Sequence, residues 1–146
     1  MLSLIQRVTQ ASVSVDGETL GRIGPGLVAL VGVEPDDGAA QVARMVDRLL
    51  GYRVFADAEG RMNRSLGDTG GGLLLVSQFT LAADTRSGMR PGFSTAAAPA
   101  EARQVFDRLL AGCRARHSGA VETGRFGAHM VVDLSNDGPV TFLLRA

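Results

Sequence analysis

The chain contains no tryptophan, one tyrosine, one cysteine and two histidines, and none of its fifteen basic residues is a lysine. The lone Cys113 has no partner for an internal disulfide, and with only His117 and His129 available a Cys/His zinc site is not expected. Without lysine, Schiff-base catalysis by an internal amine is excluded. A carboxylate-rich metal site stays open on composition, although no EF-hand spacing occurs. Arginine's planar donor fork suits phosphate recognition. Fifteen acidic residues nevertheless bring the formal net charge to zero, so overall charge gives nucleic-acid binding no independent support. The longest apolar runs, such as Leu27–Val31 and Gly72–Val76, fall far short of the roughly 20 residues that cross a bilayer. The opening Met1–Arg7 lacks a basic n-region and a small-residue cleavage site. It reads as a first strand in a cytoplasmic protein.

What is present suits one globular domain spanning residues 1–146. A chain of this length buries about two-thirds of its surface without disulfide or metal staples. The first third reads as β structure. Ala11–Val15, Asp16-Gly17 and Glu18–Ile23 carry the Asp-Gly hairpin signal. Gly24-Pro25-Gly26 then turns into Leu27–Val33, a buried central strand. Asp36 and Asp37 are candidate caps for a helix with apolar positions at Ala39, Val42, Ala43, Val46, Leu49 and Leu50. Tyr52–Phe55 and Leu73–Leu81 read as further strands, separated by polar, glycine-rich loops. Residues 82–98 lose all periodicity, as functional or mobile loops do. Pro99 suits a helix start, and Val105, Phe106, Leu109, Leu110 and Cys113 mark that helix's buried face, with His117 at its solvated end. Phe126–Leu134, a turn at Asn136-Asp137-Gly138-Pro139 and Val140–Leu144 predict a closing hairpin-like pair.

The residues offer little conventional catalytic apparatus. The glycines at 70–72 lack the Gly-Lys-Ser/Thr ending of a phosphate loop, and neither a nucleophile elbow nor a dinucleotide fingerprint occurs. A hydroxyl nucleophile at Ser77 or Thr80 needs a base. Alternation along 126–134 puts Phe126, Ala128, Met130, Val132 and Leu134 on one face, and His129 with Asp133 on the solvent-facing or interfacial one. Cys113, on an apolar helix stripe, reads as buried and inert. Two segments stand out. Ser77-Gln78-Phe79-Thr80 places three polar residues at the end of a buried strand, where each needs a hydrogen-bond partner. Asn136-Asp137-Gly138-Pro139 reads as an ordinary turn or as an X-Pro bond able to be cis.

Taken together, Ile5-Gln6-Arg7-Val8, Leu50-Gly51-Tyr52-Arg53, Met62-Asn63, Ser77-Gln78-Phe79-Thr80-Leu81, Arg90-Pro91, Thr123–Ala128 and Asn136–Thr141 make the chain resemble the D-aminoacyl-tRNA deacylases, also called D-tyrosyl-tRNA deacylases. The resemblance covers essentially the whole length. It implies a mixed α+β fold with two largely antiparallel β layers, helices packed on one side, and a homodimer. It also implies hydrolysis of the ester joining a D-amino acid, or glycine, to the 3′-terminal adenosine of tRNA, without metal, cofactor or membrane.

In that family Gly138-Pro139 would form a cis peptide entering the partner's active site, where its carbonyls hold the substrate's amino group and exclude an L side chain. Arg7 would brace the motif. Ser77, Gln78, Phe79 and Thr80 would line the pocket, with Thr80 as the catalytic candidate and Phe126, Ala128 and Met130 near it. Gly92 departs from a common Ser, and His129 from a common Asp, which argues against His129 as an obligatory base. Two other readings compete: a non-catalytic RNA-binding module for the acceptor end, and a threonine-dependent hydrolase of small esters.

Overall fold

The apolar runs at 27–31 and 73–76 carry no polar face, as expected of strands covered on both sides. In the computed structural model, which describes residues 1–146, they lie in a six-stranded sheet. The elements follow in the order β1 (Leu2–Val15), β2 (Glu18–Ile23), β3 (Gly26–Gly32), α1 (Ala39–Gly51), β4 (Phe55–Ala56), β5 (Met62–Arg64), α2 (Leu66–Thr69), β6 (Gly72–Ser77), a 3₁₀ turn (Phe79–Ala82), α3 (Pro99–Arg116), β7 (Val121–Thr123) and β8 (Val131–Arg145). β1 runs antiparallel to β2, β3 and β8. β6 joins β3 and β7 in parallel.

Period-two alternation divides the interior into two cores. Leu27, Ala29 and Val31 of β3 and Leu73 and Leu75 of β6 face one side, where Val46 and Leu49 of α1 and Phe106 and Leu109 of α3 cover them. Val28, Leu74 and Val76 face the other side and meet Val8, Ala11 and Val13 of β1 and Ile23 of β2. Val132 and Leu134 of β8 pack against that second core. The second β layer is therefore the same sheet, coiled over itself through the long β1. The result is a mixed α+β single domain, mostly antiparallel, with both long helices on one side. No helix is long and apolar enough to cross a membrane.

The predicted hairpin forms at Asp16-Gly17, both with positive φ (51° and 82°). Other expectations need correction. Asp37 does not cap α1, whose N-cap is Gly38. Its carboxylate instead accepts from the Met1 ammonium at 2.6 Å and from the Glu34 N–H at 2.7 Å. Residues 52–54 are not a strand, and only Phe55–Ala56 pairs, with β5. The strand expected to reach Leu81 stops at Ser77, because the Leu81 N–H turns back to the Gln78 carbonyl at 3.2 Å. Residues 126–130 form a turn and irregular chain, and the strand begins at Val131.

The predicted closing hairpin is also absent. β8 continues in one direction past Asn136–Pro139, with Asn136 opposite Val8 and Thr141 opposite Gln6 of β1. Residues 137–140 thus stand out from the strand opposite Arg7 alone. Turn-forming composition here makes a bulge, since pairing with β1 resumes on both sides of it.

Leu75 is fully buried against the helical side. Leu75→Ala should lower unfolding free energy by about 2–5 kcal/mol in urea titration, the cost of a buried cavity. A loss under about 1 kcal/mol would show that this face is not the tightly packed core described.

Candidate active site

A cavity of about 520 Å³ opens beyond the end of β6, between the start of α3 and residues 126–132. Ser77, Gln78, Phe79, Phe126, Ala128 and Met130, all singled out from sequence, line it. They arrive from two segments about fifty positions apart, brought together because β6 and β8 share one sheet through β3 and β1. A larger groove of about 700 Å³ over β1, β2 and β8 holds none of the predicted residues.

The polar segment ends its strand in an ordered way. The Gln78 N–H closes the ladder onto the Val31 carbonyl at 2.7 Å, after which Phe79–Ala82 wind into the 3₁₀ turn. A helical first turn leaves its leading N–H groups without intrahelical acceptors. Those of Phe79 and Thr80 are such groups. The Gln78 Nε2 donates to the Thr80 Oγ1. Thr80 is exposed beside the cavity and is not among the residues lining it. Phe79 is 58% exposed, large for an aromatic ring, and rests against Phe93 with centroids 5.1 Å apart. Phe93 lies in the aperiodic segment, where sequence offered no signal for it.

The opposite wall turns on Gly127, with φ +77°, and on the Ala128 N–H bonding the Arg125 carbonyl at 3.1 Å. Phe126 packs on the buried Phe106 with centroids 6.0 Å apart. Phe106 of α3, which helical periodicity had assigned only to the core, also reaches the cavity, and so does Ala102. Met130 lines the cavity with its sulfur pressed against Gly124, where any Cβ would overlap it. The alternation read from sequence holds through the irregular 126–130 segment and on into β8: Phe126, Ala128, Met130, Val132 and Leu134 are all half-buried, and the residues between them are exposed.

The remaining predicted residues form a second group. Arg7 donates from Nη1 to the Val54 carbonyl at 2.7 Å and from Nε to the Asp137 carbonyl at 3.2 Å. Its Nε also lies 3.0 Å from the Asp137 carboxylate. Gly138 has φ +126° and the Gly138-Pro139 bond is cis. Both residues are exposed, and neither lines the cavity of its own chain.

His129 is exposed at the cavity wall, as expected. His117 is not at a solvated surface. It is buried, with Nε2 2.7 Å from the Gly71 carbonyl, because the chain leaves α3 in an extended conformation that turns the ring inward. The ring nitrogen donates there, since a carbonyl can only accept. No group of three or more His, Cys, Asp or Glu side chains converges as a metal cradle.

The fold and cavity define a mixed α+β protein with a pocket furnished by hydroxyl, amide and aromatic groups and no side-chain base paired to a nucleophile. Residues 4–145 match the family described as D-Tyr-tRNA(Tyr) deacylase, and the chain belongs to that family of aminoacyl-tRNA hydrolases. It is 72% identical over 145 residues to a D-aminoacyl-tRNA deacylase of Xanthomonas campestris pv. campestris (strain 8004), covering 99% of each. Identity to one from Stenotrophomonas maltophilia (strain R551-3) is also 72%, with the same coverage. A solved structure described as c-Myc DNA Unwinding Element Binding Protein overlays with TM-score 0.95 at 36% identity, covering 100% of this chain and 99% of that one. Another, described as a probable eukaryotic D-amino acid tRNA deacylase, gives TM-score 0.86 at 16% identity over 99% and 98%, a likeness of fold.

Cys113 is fully buried, and that burial pushes its thiol up to about 12 from an ordinary 9.0, against a smaller opposing pull from Arg116. The folded protein should therefore resist thiol alkylation at pH 8 and react only once denatured. Because the unfolded thiol ionises first, this group's contribution to stability is complete below pH 9.0 and falls as pH rises toward 12. Rapid alkylation of the native chain would contradict the burial.

Proposed function

We propose that the chain is a D-aminoacyl-tRNA deacylase acting in the cytoplasm. It hydrolyses the ester between a D-amino acid, or glycine, and the terminal adenosine of tRNA. It works as a homodimer in which Gly138-Pro139 of one protomer enters the cavity of the other. The observation that carries this reading is the division of the site. The Ser77–Phe79 and Phe126–Met130 segments meet at one cavity, while the exposed Gly138-Pro139 is braced by Arg7 and has no cavity of its own to serve.

The chemistry follows from the groups available. An aminoacyl ester is already activated and carries a neighbouring ribose 2′-hydroxyl, so the substrate itself can assist. The N–H groups of Phe79 and Thr80 are suited to stabilise the developing oxyanion, and positioning lowers the rest of the barrier. The Gln78 amide occupies a lone pair of the Thr80 hydroxyl. This fixes the hydroxyl's orientation and weakens it as a nucleophile, so Thr80 orients rather than attacks. The exposed Phe79 ring, backed by Phe93, offers a stacking platform for the adenine. Selectivity comes from exclusion: a stiff main-chain wall rejects the L side chain sterically, and the identity of the D side chain matters little. Phosphates of the acceptor end are held by arginines, so affinity declines with salt.

Rapid hydrolysis of D-tyrosyl-tRNA with L-tyrosyl-tRNA spared is the expected result. Binding without turnover would favour an RNA-binding module, and cleavage of simple esters a general esterase. Phe79→Ala should lower kcat/KM on the D ester about 5- to 150-fold, the range of one lost base–aromatic stack. A covalent ester trapped on Thr80 would refute the orienting role.

A further inference from the structure

Residues 137–140 leave the β8 ladder opposite Arg7, so their backbone groups lose the partners a strand would provide. The two residues where the ladder breaks and resumes are Asn136 and Thr141. Their side chains meet across the base of the bulge. Asn136 Nδ2 donates to the Thr141 Oγ1 at 2.8 Å, and Asn136 Oδ1 accepts from the Val140 N–H at 3.2 Å. The orientation of the amide is dictated by chemistry, because a backbone N–H can only face the oxygen. One planar side chain thus ties the outgoing limb of the bulge to both residues of the returning limb. Arg7 holds the outgoing limb at Asp137. Gly138 and Pro139, between these restraints, have little freedom left although they are exposed.

We propose that Asn136 and Thr141 are positioning residues for enantiomer discrimination, forming a clasp that fixes the direction of the Gly138 and Pro139 carbonyls. The inference rests on the reading of the site given above, in which those carbonyls enter a partner's cavity. A steric wall discriminates only as sharply as its position is defined, and a displacement of about 1 Å turns a clash into a contact. The clasp touches no substrate. Its effect reaches the reaction through the wall, so it governs the ratio of D to L hydrolysis more than the rate on either ester. Thr141 is suited to the task twice over: its β-branch favours the extended strand, and its hydroxyl oxygen supplies the acceptor that Asn136 needs.

The test compares full-length wild type, Thr141→Val, Thr141→Ser and Asn136→Ala on D-tyrosyl-tRNA and L-tyrosyl-tRNA. Thr141→Val preserves the branched shape and removes the hydroxyl that accepts from Asn136. It should lower the D-to-L ratio of kcat/KM about fivefold, and Asn136→Ala, which cuts both bonds, about tenfold or more. Thr141→Ser should restore the wild-type ratio. Amide exchange at Val140 should quicken in Asn136→Ala, a readout independent of catalysis. A merely structural role would depress both esters together and leave the ratio unchanged, which would overturn the clasp. Should Asn136→Ala fail to fold, the Val and Ser pair at 141 decides alone. Wild type that cleaves both esters equally would sink the reading of the site itself. Wild type that discriminates, with variants that discriminate as well, would sink only the clasp.

Discussion

The hydrogen-bonded pairing of β1 is the constraint on which both the cavity and the Gly138-Pro139 bulge depend. One edge of this fourteen-residue strand holds β3 and then β2, and the other holds β8 along nearly its whole length. Through β3 it sets where β6 ends, and so where Ser77–Thr80 begins. Through β8 it sets where residues 137–140 must leave the ladder. A slip of one residue would turn every side chain of β1 to the opposite face, sending Val8 and Val13 out of the core and Arg7 away from Asp137. The two buried faces make such a slip costly, since each large aliphatic side chain contributes about 1.5–3 kcal/mol by its burial.

This arrangement asks little of acid–base chemistry. The cavity is walled by Phe, Met, Ala and Val side chains and furnished with hydroxyl, amide and backbone donors, and its one histidine is exposed. Such a lining suits a substrate that carries its own activation. On the proposed reading, rigidity then becomes the main requirement. It is met by the 3₁₀ turn after β6, by the packing of Phe126 on Phe106, and by the restraints around the bulge.

Much of this was legible in the sequence wherever local pattern and long-range packing agree. The Asp16-Gly17 hairpin, the apolar strands at 27 and 73 and the helix opening at Pro99 carry their own signals, and the structure keeps them. The cavity-lining residues were legible as motifs, though composition alone could not unite 77–79 with 126–130. Failures occurred where a distant partner decides the outcome. Asn136–Pro139 has the makeup of a reversal, yet β1 holds its flanks in line. Asp37 looks like a helix cap, but a buried ammonium competes for its carboxylate and prevails. His117 follows a polar helix end and reads as solvated, while the glycine-rich 70–72 segment leaves the ring a niche with a carbonyl inside. Phe93 has no periodic neighbours at all, so only the fold reveals that it supports Phe79.

Gly124 shows how far such control can lie from its effect. No side chain occupies that position, and the Met130 sulfur fills the vacancy. An alanine there would have to displace the supple thioether, which borders the chamber. The space open to a guest molecule is thus metered from behind the panelling, by a missing methyl group that the guest never meets.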